Sequence, residues 1–128
     1  MTAGYSGRPL IAKLGMKPGM IVYLDGAPDG FVLDAPHTSR LPRRADLVLL
    51  FCRDRRRLEQ RLPVVLERTV TDGMVWVAWP KRSSGVPTDL TEKVVREVAL
   101  DAGVVDVKVA AIDQTWSGLK LVRRLSDR

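Results

Sequence analysis

Three apolar runs stand out along the chain, and each has the length of one buried strand. They are Met20–Leu24, Ala45–Phe51 and Met74–Trp79. Continuous apolar runs that contain β-branched residues are typical of strands covered on both faces, as in parallel sheets. The pattern therefore predicts three buried parallel strands.

Apolar residues at helical spacing follow the second run. Asp54 is the predicted N-cap of this helix, and Pro63 is expected to kink it. The positions that share one face are Leu58, Leu62, Val65 and Leu66.

Two further helices are predicted from capping signals. One begins near Ser6 and ends at Gly15. The other begins at Asp89, which resembles a capping box with Glu92, and runs through Ala102 to a terminating Gly103, with Leu90, Val94 and Val98 on its apolar face.

The remaining segments are assigned to turns and a terminal hairpin. Phe31–Leu33 is expected to form a short strand or one helical turn, and Thr71–Gly73 a turn. Two strands, Val104–Ile112 and Leu119–Leu125, are joined by Asp113–Gly118, and the alternation of valine with charged residues in the first predicts an antiparallel pair.

Strands alternating with helices predict an α/β fold with right-handed crossovers. We expect one domain over residues 1–128: a shortened Rossmann-like, mainly parallel sheet with a C-terminal antiparallel hairpin. The spatial order should begin with the first strand and end with the hairpin. The outer edge of the first strand is expected to be poorly covered, which favours self-association into a homo-oligomer or pairing with a partner protein.

Composition excludes several classes of site. The 128 residues carry 21 Lys and Arg against 15 Asp and Glu, a formal net charge of +6. One cysteine, Cys52, and one histidine, His37, cannot form an internal disulfide or a structural zinc site. A catalytic triad would require His37 as its base.

No signal peptide or membrane-spanning stretch is visible, so a cytoplasmic location without a membrane partner is expected.

The order of elements from Ala45 onward resembles the second half of class I S-adenosylmethionine-dependent methyltransferases. The features that carry it are the proline-containing helix, the Asp72-Gly73 turn, the Ala102-Gly103 helix end and the hairpin. The whole chain also resembles a small family of bacterial proteins with a domain of unknown function. The phrases that carry this second resemblance are Gly4-Tyr5-Ser6-Gly7, Lys17-Pro18-Gly19-Met20, Val77-Ala78-Trp79-Pro80-Lys81, Ser84-Gly85-Val86, Thr88-Asp89-Leu90-Thr91 and Thr115-Trp116-Ser117-Gly118-Leu119-Lys120.

A glycine-containing turn after the first strand is the first candidate binding site. Gly26 and Ala27 stand where a dinucleotide or methyltransferase fold places its cofactor loop. Only 20 positions separate Asp25 from Ala45, and the usual acidic residue for ribose is missing from them. We therefore predict no cofactor and no micromolar binding of S-adenosylmethionine.

The second candidate is the loop after the third strand, where Lys81, Arg82 and the backbone of Ser83-Ser84-Gly85 could hold an anionic small molecule. Trp116 is the candidate for covering an apolar or aromatic part of that ligand. The predicted cleft joins the turns at Gly26, at Lys81 and at Asp113–Gly118, since all three should lie at the carboxyl end of the sheet. A solvated basic loop is the alternative interpretation.

The function that we infer is non-enzymatic: a small-ligand-binding or accessory protein. The alternatives are a minimal transferase that uses an anionic nucleoside cofactor and a basic nucleic-acid-associated protein. Nucleic acid is the less favoured partner, because no groove-reading motif accompanies the arginines. The arginines at positions 53, 55, 56, 57 and 61 are interpreted as a solvated face, with Arg40, Arg43 and Arg44 before the adjoining strand. Cys52, at the end of a buried strand, is expected to be inert.

Overall fold

Five strands form one sheet in the computed structural model, which describes residues 9–128. The strands are β1 (Val22–Asp25), β2 (Ala45–Phe51), β3 (Thr69–Pro80), β4 (Val104–Ala111) and β5 (Trp116–Arg123). The α-helices are α1 (Leu10–Leu14), α2 (Arg55–Arg68) and α3 (Glu92–Asp101), with 3-10 turns at Arg82–Ser84 and Leu125–Asp127.

The strand order is β1-β2-β3-β5-β4. β1, β2 and β3 pair in parallel, and β5 pairs antiparallel with both β3 and β4. This confirms the predicted mainly parallel sheet with an antiparallel C-terminal hairpin, and the predicted spatial order. β5 follows β4 in the sequence, but in the sheet it lies between β3 and β4.

The helix ends follow from capping chemistry. The Asp54 side chain accepts a hydrogen bond from the Arg57 N–H and caps α2 as predicted, and Gly15 ends α1 with a left-handed φ of 80°. The predicted start of α1 at Ser6 lies outside the described residues. The prediction for α3 is wrong at its start, because Thr91 and not Asp89 is the N-cap. The Asp89 carboxylate instead accepts a hydrogen bond from the Arg55 N–H at 2.8 Å, so it caps the beginning of α2.

The prediction of a turn at Thr71–Gly73 is wrong, because these residues lie within a strand. β3 runs through it, and its register against β2 jumps from the pair Ala45 and Thr69 to the pair Leu47 and Met74. The extra residues form an irregularity within the strand. A Cβ at Gly73 would lie 2.9 Å from the Asp46 carbonyl oxygen, so this close approach of two backbones requires glycine.

Smaller differences concern element bounds. β1 begins two residues later than the apolar run suggests, and Phe31–Leu33 forms neither a strand nor a helical turn. The hairpin strands end earlier and, for β5, begin earlier than predicted, because Trp116 already pairs with Pro80 of β3.

Two apolar clusters lie on the two faces of the sheet. One contains the buried side chains of α2 and α3, among them Leu58, Leu62, Val95 and Val98. The other lies under α1 and the loop after β1 and is centred on Trp76, whose indole N–H donates to the Leu14 carbonyl oxygen at 3.0 Å. Both faces are thus covered, as continuous apolar strands require.

The outer edge of β1 is covered, contrary to the expectation from the sequence. Thr38 forms a parallel bridge with Tyr23. Its N–H donates to the Val22 carbonyl oxygen, and its carbonyl oxygen accepts from the Leu24 N–H, both at 2.9 Å. The segment around Thr38 therefore satisfies the main-chain groups that β1 presents outward.

Candidate functional site

The three turns of the predicted cleft lie at the same end of the sheet. β1 and β3 belong to the parallel part of the sheet, so the segments after Asp25 and Pro80 leave it together. The hairpin turn joins them because Pro80 pairs with Trp116, and the Lys81 N–H donates to the Thr115 carbonyl oxygen at 2.7 Å. The turns line two separate depressions.

The first depression, called here the Lys81 groove, has a volume of about 530 Å³. It runs between the loop after β3 and the start of α3, and Ser117 of β5 forms one side. Lys81 and Arg82 line it, and among the residues that the structure describes neither has a carboxylate partner. Glu92, its acidic lining residue, is bound to Arg96 at 2.6 Å. The groove is therefore positively charged.

Ser84 shapes this loop from outside the groove. Its hydroxyl donates to the Lys81 carbonyl oxygen at 2.6 Å and accepts from the Val86 N–H at 3.2 Å. Gly85 follows with a left-handed φ of 76°. Ser84, which the sequence analysis placed at the anion site, thus uses its hydroxyl to hold the turn that carries Lys81.

The second depression, the Trp116 pocket, has a volume of about 270 Å³. It is lined by the loop after β1, including Phe31, by Arg53 after β2, by Val86 and by the hairpin turn. Trp116 is only 4% exposed, and its ring packs edge-on against Phe51 with 5.1 Å between centroids. Most of the indole therefore belongs to the core, and only an edge is available to the pocket.

Gly26 and Ala27 line neither depression. Gly26 has a left-handed φ of 70°, and the Arg57 guanidinium lies against it where a side chain would begin. Arg57 also donates from Nε to the Phe51 carbonyl oxygen at 3.0 Å. The backbone of this turn is consequently covered by an arginine from α2.

A buried ion cluster at Asp25, which the sequence analysis missed, explains this arrangement. The Asp25 carboxylate accepts hydrogen bonds from Arg57 Nη2, from Arg61 Nε at 2.9 Å and Nη2 at 2.6 Å, and from the Tyr23 hydroxyl at 3.1 Å. Burial and the neighbouring Asp25 charge raise the pKa of Tyr23, and the hydrogen bond to Asp25 raises the pKa of Arg61. The interpretation of Arg57 and Arg61 as solvated is therefore wrong, although their i, i+4 spacing on α2 was a signal that one group faces both.

The remaining candidates are placed as follows. Cys52 is fully buried, and burial raises its pKa to about 12, so it carries no reactive thiolate at neutral pH. His37 is exposed and its Nδ1 contacts the Ala35 carbonyl oxygen at 2.8 Å.

Within residues 9–128, no three His, Cys, Asp or Glu side chains come together as metal ligands would. In the same residues, no helix has the length and apolar character to cross a bilayer.

Comparison with known proteins identifies the family. The model of a family described as "Protein of unknown function (DUF3052)" matches residues 39–125. The chain belongs to this family. The DUF3052 match includes β2 through β5 and therefore most of the sheet, together with Lys81 and Trp116. No curated protein sequence matches the chain.

Solved structures similar to this DUF3052 chain include methyltransferases. Magnesium protoporphyrin IX methyltransferase from Synechocystis PCC 6803, solved with bound SAM, superposes with a TM-score of 0.63 at 11% identity, over 90% of this chain and 74% of that one. A SAM-dependent methyltransferase from Aquifex aeolicus gives a TM-score of 0.63 at 14% identity, over 88% and 86% of the two chains. These likenesses confirm a methyltransferase-like fold.

Proposed function

We propose that this DUF3052 domain is a non-enzymatic module that binds a small anionic molecule at the carboxyl end of its sheet. The observation that carries the proposal is the Lys81 ammonium group, which lines a groove and has no carboxylate partner among the described residues. In open α/β sheets, ligands bind in the crevice outside the carboxyl ends of the strands. A lysine left unpaired at that position favours an anion.

The charges around the groove support the choice of an anionic ligand. Arg82 adds a second cation, and the carboxylate of Glu92 is paired with Arg96, which also binds Asp106. The groove also lies at the N-terminus of α3, where the helix dipole contributes partial positive charge. Each of these contributions favours the binding of a negatively charged ligand.

The neighbouring Trp116 pocket supports a ligand with a planar or apolar portion. Val86 lines both depressions, and the consecutive residues Trp116 and Ser117 line one each. The pocket offers the ring of Phe31 and an edge of Trp116, and Arg53, Asp29 and Asp113 also line it. A flat group could lie there while its anionic group reaches Lys81.

The contacts that cover the turn after β1 support a role without S-adenosylmethionine. The Synechocystis enzyme was solved with bound SAM. In the present chain, Arg57 covers Gly26, and the Asp25 carboxylate is bound to two guanidinium groups. A cofactor at this turn would have to displace an ion cluster whose carboxyl side chain is 6% exposed.

The test is calorimetric titration with adenosine monophosphate, which combines a phosphate with a planar ring. Lys81→Ala should weaken its binding at least about fivefold, because a charge-assisted hydrogen bond in an open groove contributes about 1 kcal/mol. Lys17→Ala, which removes the same charge from an exposed turn, is the matched control and should change binding less than about twofold. The melting temperature should not change in either variant.

Two further titrations distinguish the alternatives. Adenosine, which lacks the phosphate, should bind more weakly than the monophosphate. S-adenosylmethionine should show no one-to-one site of micromolar affinity, and finding one would favour a transferase. Equal binding of the monophosphate to the wild type and to Lys81→Ala, or no binding at all, would overturn the proposed anion site.

A further inference from the structure

A further depression, called here the Met16 pocket, lies beside the start of β1 and has a volume of about 510 Å³. It is bordered by the turn that follows α1 and by residues 34–36 of the loop after β1. Among the described residues, it shares none of its lining with the Lys81 groove or the Trp116 pocket. Its size is that of an ordinary small-molecule site.

Backbone hydrogen bonds hold both segments that border the Met16 pocket. In the turn after α1, the Met20 N–H donates to the Lys17 carbonyl oxygen at 3.2 Å. The second segment, residues 34–36, leads to Thr38, whose N–H donates to the Val22 carbonyl oxygen of β1 at 2.9 Å. The shape of the pocket is therefore set by the fold, as it is in most small-molecule sites.

Most of the lining of the Met16 pocket is apolar. The larger apolar side chains are those of Ile11, Met16, Pro18, Met20, Val22 and Pro36. The two methionines are only partly buried, and they pack against the cluster that lies under α1. Methionine adapts its shape to a ligand, and its polarizable sulfur makes favourable contacts with aromatic rings. The lining therefore suits a large aliphatic or aromatic group.

One cation and one anion, Lys17 and Asp34, also line the Met16 pocket, and they come from its two different segments. Both residues are exposed, and neither takes part in an ion pair with any residue that the structure describes. A ligand with only an amine is repelled by Lys17, and a ligand with only a carboxylate is repelled by Asp34. A ligand that carries both groups finds an opposite charge for each of them.

We propose that the Met16 pocket binds a free amino acid with a large apolar side chain. The side chain contacts the apolar lining, the carboxylate pairs with Lys17 and the ammonium group pairs with Asp34. The pocket thus complements all three parts of the zwitterion, and each part can be tested separately. This site is independent of the anion site at Lys81, because the two have different linings.

The first test is calorimetric titration with L-phenylalanine and with three analogues that each lack one of its parts. Glycine lacks the apolar side chain, phenethylamine lacks the carboxylate and hydrocinnamate lacks the ammonium group. Phenylalanine should bind one-to-one, and each analogue should bind at least about fivefold more weakly. No binding of phenylalanine up to its solubility limit, or an analogue that binds as tightly as phenylalanine, would overturn the proposal.

The second test assigns each charge of the ligand to one residue. Lys17→Ala should weaken phenylalanine and hydrocinnamate at least about fivefold without weakening phenethylamine. Asp34→Asn should weaken phenylalanine and phenethylamine to a similar extent without weakening hydrocinnamate. Lys93→Ala and Asp72→Asn remove exposed charges outside the pocket, and both should bind phenylalanine like the wild type. Losses that do not follow the charge of the ligand would contradict the assignment.

The location of the ligand can be measured by nuclear magnetic resonance of the methionine methyl groups. The ring current of bound phenylalanine should shift the ε-methyl signals of Met16 and Met20, and it should shift that of Met74, which is outside the lining, much less. Shifts confined to the loop at Lys81 would place phenylalanine in the Lys81 groove and overturn the proposal. Unchanged far-UV circular dichroism of Lys17→Ala and Asp34→Asn shows that their weaker binding is not a loss of fold.

Discussion

Replacing Asp25 with asparagine should destabilise this protein more than any surface charge change. Its carboxylate is the common acceptor for Arg57, Arg61 and the Tyr23 hydroxyl, and the side chain is 6% exposed. Asparagine keeps the volume and one acceptor oxygen. It also removes the negative charge and turns an amide N–H₂ toward a guanidinium group, leaving two cations without compensation.

The magnitude follows from how far the two arginines are exposed. Breaking a fully buried ion pair by removing one partner costs roughly 3–5 kcal/mol. The side chains of Arg57 and Arg61 are 37% and 30% exposed, so water screens part of the charge that the substitution leaves behind. The expected loss in free energy of unfolding is therefore about 2–3 kcal/mol.

The assay is urea denaturation at neutral pH, with Asp72→Asn as the control. Asp72 is exposed and makes no ion pair within the described residues, so its substitution should change the free energy of unfolding by less than about 0.5 kcal/mol. A double-mutant cycle with Arg61→Met should give a coupling energy above about 1 kcal/mol. A loss below about 1 kcal/mol for Asp25→Asn would refute the view that this cluster is buried and mutually dependent.

Two further predictions concern pH and helix capping. Burial raises the pKa of Cys52 from 9.0 to about 12, so the unfolded chain loses this proton first. The contribution of Cys52 to stability should be complete below about pH 9 and should fall as the pH rises toward 12, by roughly 1 kcal/mol at pH 10. Urea denaturation across pH should show a smaller fall in Cys52→Ala, in which Tyr23, whose pKa is also raised, still contributes. Asp89→Ala should lower the free energy of unfolding by about 1 kcal/mol, because the Arg55 N–H loses its acceptor, whereas Asp101→Ala at the end of α3 should not lower it; equal effects would contradict the capping role.

The elements most predictable from the sequence are those governed by local chemistry. β2 has the bounds that its apolar run indicates, and α2 begins at its predicted cap Asp54. The parallel pairing of β1, β2 and β3 was also predictable, since continuous apolar strands joined by helices allow few alternatives. The bounds of β2 and the cap of α2 need only information from neighbouring residues, whereas the parallel pairing follows from the order of elements along the chain.

The features that escaped prediction depend on contacts between distant segments. Asp89 and Glu92 have the spacing of a capping box, but Asp89 lies within 2.8 Å of an N–H that is 34 residues away in the chain. The turn residues Thr71–Gly73 form a strand irregularity only because Asp46 lies alongside. Likewise, Arg57 and Arg61 are ordinary surface residues of a helix until the crossover brings Asp25 beneath them. For the site itself, the sequence located the three converging turns but not the cover over Gly26.

The position of β5 sets the order in which this sheet can be completed during folding. β5 is the last of the five strands in the sequence, yet it pairs with β3 on one side and β4 on the other. Before it is in place, β3 exposes an unpaired edge and β4 has no neighbour. Arg123, at the end of β5, also donates to the Leu66 and Val70 carbonyl oxygens at 2.6 and 2.9 Å. The same strand therefore holds the C-terminal end of α2 by a hydrogen bond. During synthesis, the parallel half must therefore wait for residues beyond 116 before its edge is protected, and deleting β5 would remove the neighbour that joins β4 to the sheet.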